Sequence, residues 1–369
     1  MQVPFLDLQA QYEAVIDDVN ETVAEVIASR AFCNGPVVRR AEEELAAYCG
    51  CAEALGVSSG TDALLVSLMA LEIADGDEVI TTPFTFFATA GAVWRAGAKP
   101  VFVDIEADTF NIDPAKIEAA ITERTRAILP VHLYGQMADM DAIMAVARRH
   151  NLAVIEDAAQ AVGATYKDRP ACSVGTTGCL SFYPTKNLGA MGDAGMVLTQ
   201  DAHLAARLRQ LRNHGQGDTY IHDSVGGNFR ADSLAMVGVL AKLPRLAAWT
   251  DALRRHAARY DALLADCDGL TTPAIRDDCE PVYHQYVIRC ADRDALKAHL
   301  AERGVASGVY YPLCLHLQPC FGSLGYRPGD LPIAEQASRE VLALPIFPEL
   351  TDDQIEYVAA SVKGFFGGA

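Results

Sequence analysis

One lysine, Lys186, stands in residues 180–197 (LSFYPTKNLGAMGDAGMV), between two apolar runs and among Ser181, Thr185 and Gly189. A lysine in a loop is ordinarily a solvated surface group. This loop is short of other charges, and Tyr183 and Pro184 restrict solvation, which suits a compact, ligand-lined turn. In LAVIEDAAQ (152–160) Asp157 ends an apolar run, the place where open α/β sheets put ligand contacts. An acid in that position also serves as a helix cap, and both roles stay open. Gln160 follows three residues on, close enough to address the same ligand. VSSGTDALLVSL (57–68) sets Ser58, Ser59, Gly60 and Thr61 between a strand-like run and a helical one. Small residues let the backbone approach a ligand, and the first helical N–H groups suit an anion such as phosphate. A plain N-cap by Ser59 or Thr61 accounts for the same residues. Neither the Walker nor the dinucleotide glycine pattern occurs here.

These residues need a frame to bring them together. From about residue 50 the chain alternates apolar runs, at 52–58, 77–82, 99–104, 126–132, 152–157, 179–184 and 195–200, with helical stretches such as DAIMAVARRH (141–150). Continuous apolar strands separated by helices predict an α/β fold whose parallel sheet is covered on both faces. Residues 231–266 read as long helical text interrupted near Pro244, of a length that commonly bridges two domains. Beyond them, residues 282–290, 294–305, 305–312 and 352–366 mix strand and helix patterns. The expected division is a large α/β domain over 1–245, with an N-terminal helical segment, and a smaller C-terminal α+β domain over 246–369.

The net charge of −18 works against nucleic acid as a partner. An acidic field also repels a phosphate-bearing substrate, so such a site must supply local donors and helix N-termini. The ten cysteines form no C-x-x-C pair and no spacing typical of zinc ligands, which predicts free thiols and no metal. The first thirty residues lack the basic start and apolar stretch of a signal peptide, and no run reaches membrane-spanning length. A cytoplasmic protein is expected.

Ser-Gly-Thr before a helix, then Glu-Asp-Ala-Ala-Gln, then Ser-Phe-Tyr-Pro-Thr-Lys-Asn-Leu-Gly, resembles in order and spacing the DegT/StrS family of sugar aminotransferases, which have the fold of aspartate aminotransferase. The likeness extends from PFLDLQAQY (4–12) through LYGQMADMD (133–141), GGNFRAD (226–232) and YYPLCLHLQP (310–319) to LPIFPELT (344–351). It implies pyridoxal 5′-phosphate held covalently by Lys186, with Asp157 on the pyridine nitrogen and Gln160 on the ring hydroxyl. Ser59, Gly60 and Thr61 would take the phosphate at the helix start, with Ser181 as a further contact and Phe86 stacked on the ring. Asn228 matches a residue that family dimers contribute to the neighbouring subunit's phosphate, which implies a homodimer with shared sites. Tyr183, Arg230, Tyr311 and His316 are the candidates for the substrate. His316 has the alternative of an ordinary structural histidine, and Arg230 that of a surface or interface pair.

The roles are chemically coherent. A carboxylate beside the pyridine nitrogen favours its protonated, electron-withdrawing form. A lysine displaced from the cofactor becomes a base beside the reacting carbon. The implied reaction moves an amino group, with L-glutamate as expected donor, onto a nucleotide-linked keto-sugar, the 3-keto position being slightly favoured by residues 133–141. Two alternatives are a dehydratase of the same family and a non-catalytic regulatory protein on the same scaffold. Familiar dehydratases replace the lysine with histidine, and a regulator has no need of an electron sink, so Lys186 and Asp157 argue against both.

Overall fold

The computed structural model describes residues 1–367. Seven strands form the main sheet: β1 (Glu53–Val57), β2 (Glu78–Thr81), β3 (Lys99–Phe102), β4 (Thr125–Leu129), β5 (Ala153–Asp157), β6 (Thr177–Ser181) and β7 (Gly195–Thr199). All seven overlap the apolar runs predicted from sequence, β4 and β6 beginning one and two residues before theirs. Their order is β1-β7-β6-β5-β4-β2-β3. The pairs β3–β2, β2–β4, β4–β5 and β5–β6 are parallel, while β7 runs antiparallel to both β6 and β1. Only β7 is reversed, so β1, β5 and β6 end at the same edge of the sheet. Their last residues, Val57, Asp157 and Ser181, are thereby gathered.

Burial explains the sequence pattern. Strands β2 and β7 are buried at every position, and the helix Gly60–Ala70 is buried along almost its whole length. One apolar cluster packs Leu55, Leu64, Leu68, Val79, Ile155 and Val197 on one side of the sheet, and another packs Ile80, Ile128, Val154, Leu180, Met196 and Met236 on the other. The helical text after residue 231 becomes two helices, Ser233–Lys242 and Leu246–Leu264, separated by a 3-10 turn that contains Pro244. Proline lacks the N–H that an unbroken helix would need there.

The C-terminal part has its own cluster, in which Leu253, Tyr260, Tyr286, Leu296, Leu342 and Val358 pack together. Its antiparallel pair, β8 (Tyr286–Arg289) and β9 (Val341–Leu344), lies with the helices Arg293–Glu302 and Asp352–Phe366. Residues 305–312 contribute isolated bridges, Val3 to Val305 and Gly308 to Ala343, rather than a strand. Val3 belongs to the C-terminal cluster and exchanges backbone bonds with Gly304 and Ala306, because its side chain finds its apolar cover there. We therefore propose that the first few residues group with the segment after 245. No helix of the described residues is long and apolar enough to cross a membrane.

Candidate active site

The common edge of β1, β5 and β6 opens into a cavity of about 790 Å³. That is toward the upper end of ligand pockets, with room for more than one small molecule. Three backbone segments converge at one end of it. A Cβ on Gly60 would lie 2.6 Å from the Cβ of Ser181, and one on Gly195 would lie 2.5 Å from the backbone of Ser59. Only glycine permits this approach.

Ser59 caps the helix Gly60–Ala70 by accepting from the Asp62 N–H at 3.0 Å, while the Ser58 hydroxyl donates to the Asp62 carboxylate at 2.7 Å. The helix cap anticipated from sequence is therefore present at Ser59. It leaves the N–H groups of Gly60 and Thr61, which have no intrahelical acceptor, facing a cavity that both residues line. Donors of that kind at the positive end of a helix suit a phosphate.

Asp157 ends β5 and is buried to 5% exposure. Its Oδ2 accepts from the Thr89 hydroxyl at 2.8 Å and its Oδ1 from the Ala159 N–H at 3.3 Å. Burial raises its pKa; these two bonds, Lys186 and His132 oppose the rise. Behind it, His132 Nδ1 accepts from the Ala138 N–H, so its Nε2–H donates to Glu156 at 2.9 Å. The carboxylate of Glu156 accepts in addition from the N–H groups of Cys172, Val174 and Gly175, which fixes the end of β5 from its other face.

Lys186 lies in the loop between β6 and β7, whose ends are clamped by the Ser181–Gly195 pairing. Its own N–H donates to the Tyr183 carbonyl at 2.8 Å. Removal from water brings its pKa down to about 8, with Asp157 opposing the change. Its amine is thus partly neutral near physiological pH, as a nucleophile or base requires.

Gln160 is held by its amide. Oε1 accepts from the Tyr134 N–H at 2.6 Å and Nε2 donates to the Tyr311 hydroxyl at 3.1 Å, which leaves one amide N–H for a ligand. Phe86 is 58% exposed at the cavity wall, its ring 6.3 Å from that of Tyr311. Ser181 and Tyr183 line the same space.

Three residues expected at the site are elsewhere in this chain. Asn228 is exposed and pairs with Asn213 in a backbone bridge, outside the cavity lining. Arg230 donates to Asn213 Oδ1 at 2.7 Å and also does not line it. His316 requires correction. It is buried to 2% exposure, its Nε2 faces Glu335 at 3.2 Å and its ring packs near Phe102 and Tyr326, so it cannot line the sugar pocket of its own chain. The reading as a structural histidine is the one that fits. Thr89, Tyr134 and His284 touch the site or its supports without any local sequence signal.

A lysine and a buried carboxylate facing one cavity, on a mostly parallel sheet with a smaller α+β part, are the arrangement that the family match and the solved structures identify as a pyridoxal-phosphate-dependent aminotransferase of the aspartate aminotransferase fold. The chain belongs to the DegT/DnrJ/EryC1/StrS aminotransferase family, which matches residues 14–363. It is 51% identical to the "pleiotropic regulatory protein" of Geobacillus stearothermophilus, over 99% of both chains. It is 45% identical to the UDP-N-acetyl-3-dehydro-alpha-D-glucosamine 3-aminotransferase of Acidithiobacillus ferrooxidans, covering 98% of this chain and 97% of that one. Among solved structures, Streptomyces venezuelae DesV in complex with a ketimine intermediate superposes with a TM-score of 0.96 at 42% identity, covering 99% of this chain and 98% of that one.

The residues fit the cofactor. The helix start offers N–H donors without an intrahelical acceptor for its phosphate, and Asp157 is a carboxylate whose pKa burial raises, so a cationic ring N–H placed against it would be favoured.

Proposed function

We propose that this chain transfers an amino group from an amino acid, L-glutamate being the expected donor, to the 3-keto position of a nucleotide-linked sugar. The observation that carries the reading is the placement of Lys186 and Asp157 on one cavity beside the start of the helix Gly60–Ala70. The 45% identical relative named for a 3-amination supports the position on the sugar. Pyridoxal phosphate, when bound, supplies the electron sink for loss of a carbon-bound proton.

In this reading Gly60, Thr61 and Ser181 bind the phosphate, and Asp157 holds a proton on the ring nitrogen. Gln160, fixed by Tyr134 and Tyr311, orients the ring through its remaining N–H. Phe86 covers one ring face and excludes water. Lys186 Nζ anchors the cofactor and then moves the proton at the reacting carbon. Its pKa of about 8 keeps a working fraction of base at neutral pH. Tyr183 and Tyr311 line the space left for the sugar. Asn228 and Arg230, exposed or half-buried away from the cavity, serve the partner's site in a homodimer.

A regulatory protein is the second reading, favoured by the name of the 51% identical relative. The Lys186–Asp157 cavity opposes it, since binding alone needs neither group. A panel of nucleotide keto-sugars offered with glutamate, analysed by mass spectrometry, decides the matter. A product in which an amino group and a hydrogen replace the keto oxygen, from a 3-keto substrate, is expected. Amination of 4-keto sugars alone overturns the position, and no amination of any member by cofactor-loaded protein favours the regulator.

A further inference from the structure

His284 has its tautomer fixed by its neighbours. The Asn187 side chain donates through Nδ2 to the Val282 carbonyl at 2.9 Å, which turns Oδ1 toward His284 Nδ1, also at 2.9 Å. An amide oxygen only accepts, so Nδ1 carries the proton and Nε2 bears a lone pair. Burial, reinforced by the charge of Lys186, holds the ring well below its usual pKa and therefore neutral. Among the described residues no side chain donates to Nε2.

His284 and Lys186 together line two spaces, the large cavity and a second chamber of about 30 Å³. That volume holds one or two waters. Gln11 and Thr250 also line it, and Gln11 Oε1 and Thr250 Oγ1 are buried without a hydrogen-bond partner. Buried polar atoms of this kind ordinarily find water. One water has two donors and two acceptor sites, and the chamber offers a match: Nε2 of His284 and Oε1 of Gln11 accept, while the Lys186 amine and the Thr250 hydroxyl donate.

We infer that the chamber is a water site, and that through its water His284 acts as a positioning residue for the Lys186 amine whenever that amine is free. The inference rests on the proposed role of Lys186. A free amine held in this way has a partner outside the large cavity, so its position is fixed without a contact that competes with substrate. The other titratable groups on these walls, Asp157, Asp193, Tyr183, Tyr283, Tyr310 and Tyr311, are left in place by the variants that follow.

The test uses protein loaded with pyridoxamine phosphate, in which Lys186 is free, with 15N-labelled histidine and lysine followed by NMR. His284→Asn keeps a donor toward Asn187 and removes the acceptor at Nε2. His284→Gln restores an acceptor there, and Thr250→Val removes one hydrogen from the network at nearly constant volume. We expect His284 to show a protonated Nδ1 and a bare Nε2 from pH 6 to 8. The Lys186 titration midpoint should fall by about one unit in His284→Asn, because the water that accepts from the ammonium loses the acceptor that holds it, and should recover in His284→Gln; Thr250→Val, which removes a donor competing for the same water, should not lower it. A His284 protonated at Nε2, a midpoint unmoved in His284→Asn, or a midpoint lowered in Thr250→Val overturns the inference. Borohydride reduction of the pyridoxal-phosphate form separates the two levels. Label on Lys186 with an unmoved midpoint in His284→Asn sinks this inference alone, whereas no label on Lys186 sinks the functional reading and this inference with it.

Discussion

The Thr89 hydroxyl donates to Asp157 Oδ2 at 2.8 Å, tying the helix Ala88–Arg95 to the end of β5. The only other hydrogen bond to this carboxylate among the described residues, from the Ala159 N–H, is long at 3.3 Å. A buried acid held by neutral donors keeps a raised pKa, and a cationic ring N–H brought against it would lower that pKa while being held tightly in return. Thr89 orients the carboxylate and leaves its charge for the ligand.

Asp157→Asn therefore keeps the shape and removes the charge. Turnover should fall on the order of 10²-fold or more, with an unchanged circular dichroism spectrum. Thr89→Val, which removes only the orienting bond, should lower turnover by roughly 3- to 10-fold. Near-normal turnover in Asp157→Asn would reduce this residue to a strand-end cap.

Lys186→Ala should lose both the borohydride-trapped adduct and transamination. Pyridoxal phosphate should still bind, by equilibrium dialysis, through the helix start at Gly60 and Thr61. A reduced adduct mapped to any of the other lysines rules the assignment out.

The same lysine makes a statement about stability. It titrates near 8 in the folded chain and near 10.5 when unfolded. Between those values the unfolded chain binds more protons, so stability rises with pH across the window, and below pH 8 the full penalty of a charged amine in the cavity is felt. In cofactor-free protein, Lys186→Met should raise Tm at pH 7, by roughly 1–3 °C, and by less at pH 10. An equal shift at both pH values, measured by calorimetry, would assign the effect to packing instead.

Much of the frame was legible because most positions of β1 to β7 are buried, so the strands write themselves as largely apolar runs. Lys186, Asp157 and the Ser59–Thr61 segment were legible because each sits at the end of such a run, where topology collects them. Thr89, Tyr134 and His284 were not. Each is an ordinary residue in its own neighbourhood, and His284 reaches Lys186 only because Asn187 draws the segment at 282–284 across about a hundred residues of sequence. His316 shows the converse: a family-like segment carried it toward the pocket, but Glu335, whose carboxylate also receives the Gly329 N–H, holds it inside. Sequence order does not encode which face of a turn is covered.

Asn228 gives the test of quaternary structure, because it is exposed and lies outside the cavity of its own chain. If it serves a neighbour's phosphate, Asn228→Ala should weaken cofactor binding rather than abolish activity, since one hydrogen bond to a charged group contributes roughly 1.5–3 kcal/mol. Mixing Asn228→Ala with Lys186→Ala protein and allowing subunits to exchange then distinguishes the two arrangements. With Asn228 acting across the interface, a mixed dimer holds one site bearing both defects and one bearing neither. With Asn228 acting within its own chain, every site keeps one defect. Assayed at limiting cofactor, where the lost bond matters most, the mixture should exceed the dilution-weighted sum of its parents. A mixture that merely averages them, with exchange verified by native mass spectrometry, places Asn228 outside the partner's site and leaves the exposed segment around it without a role in binding phosphate.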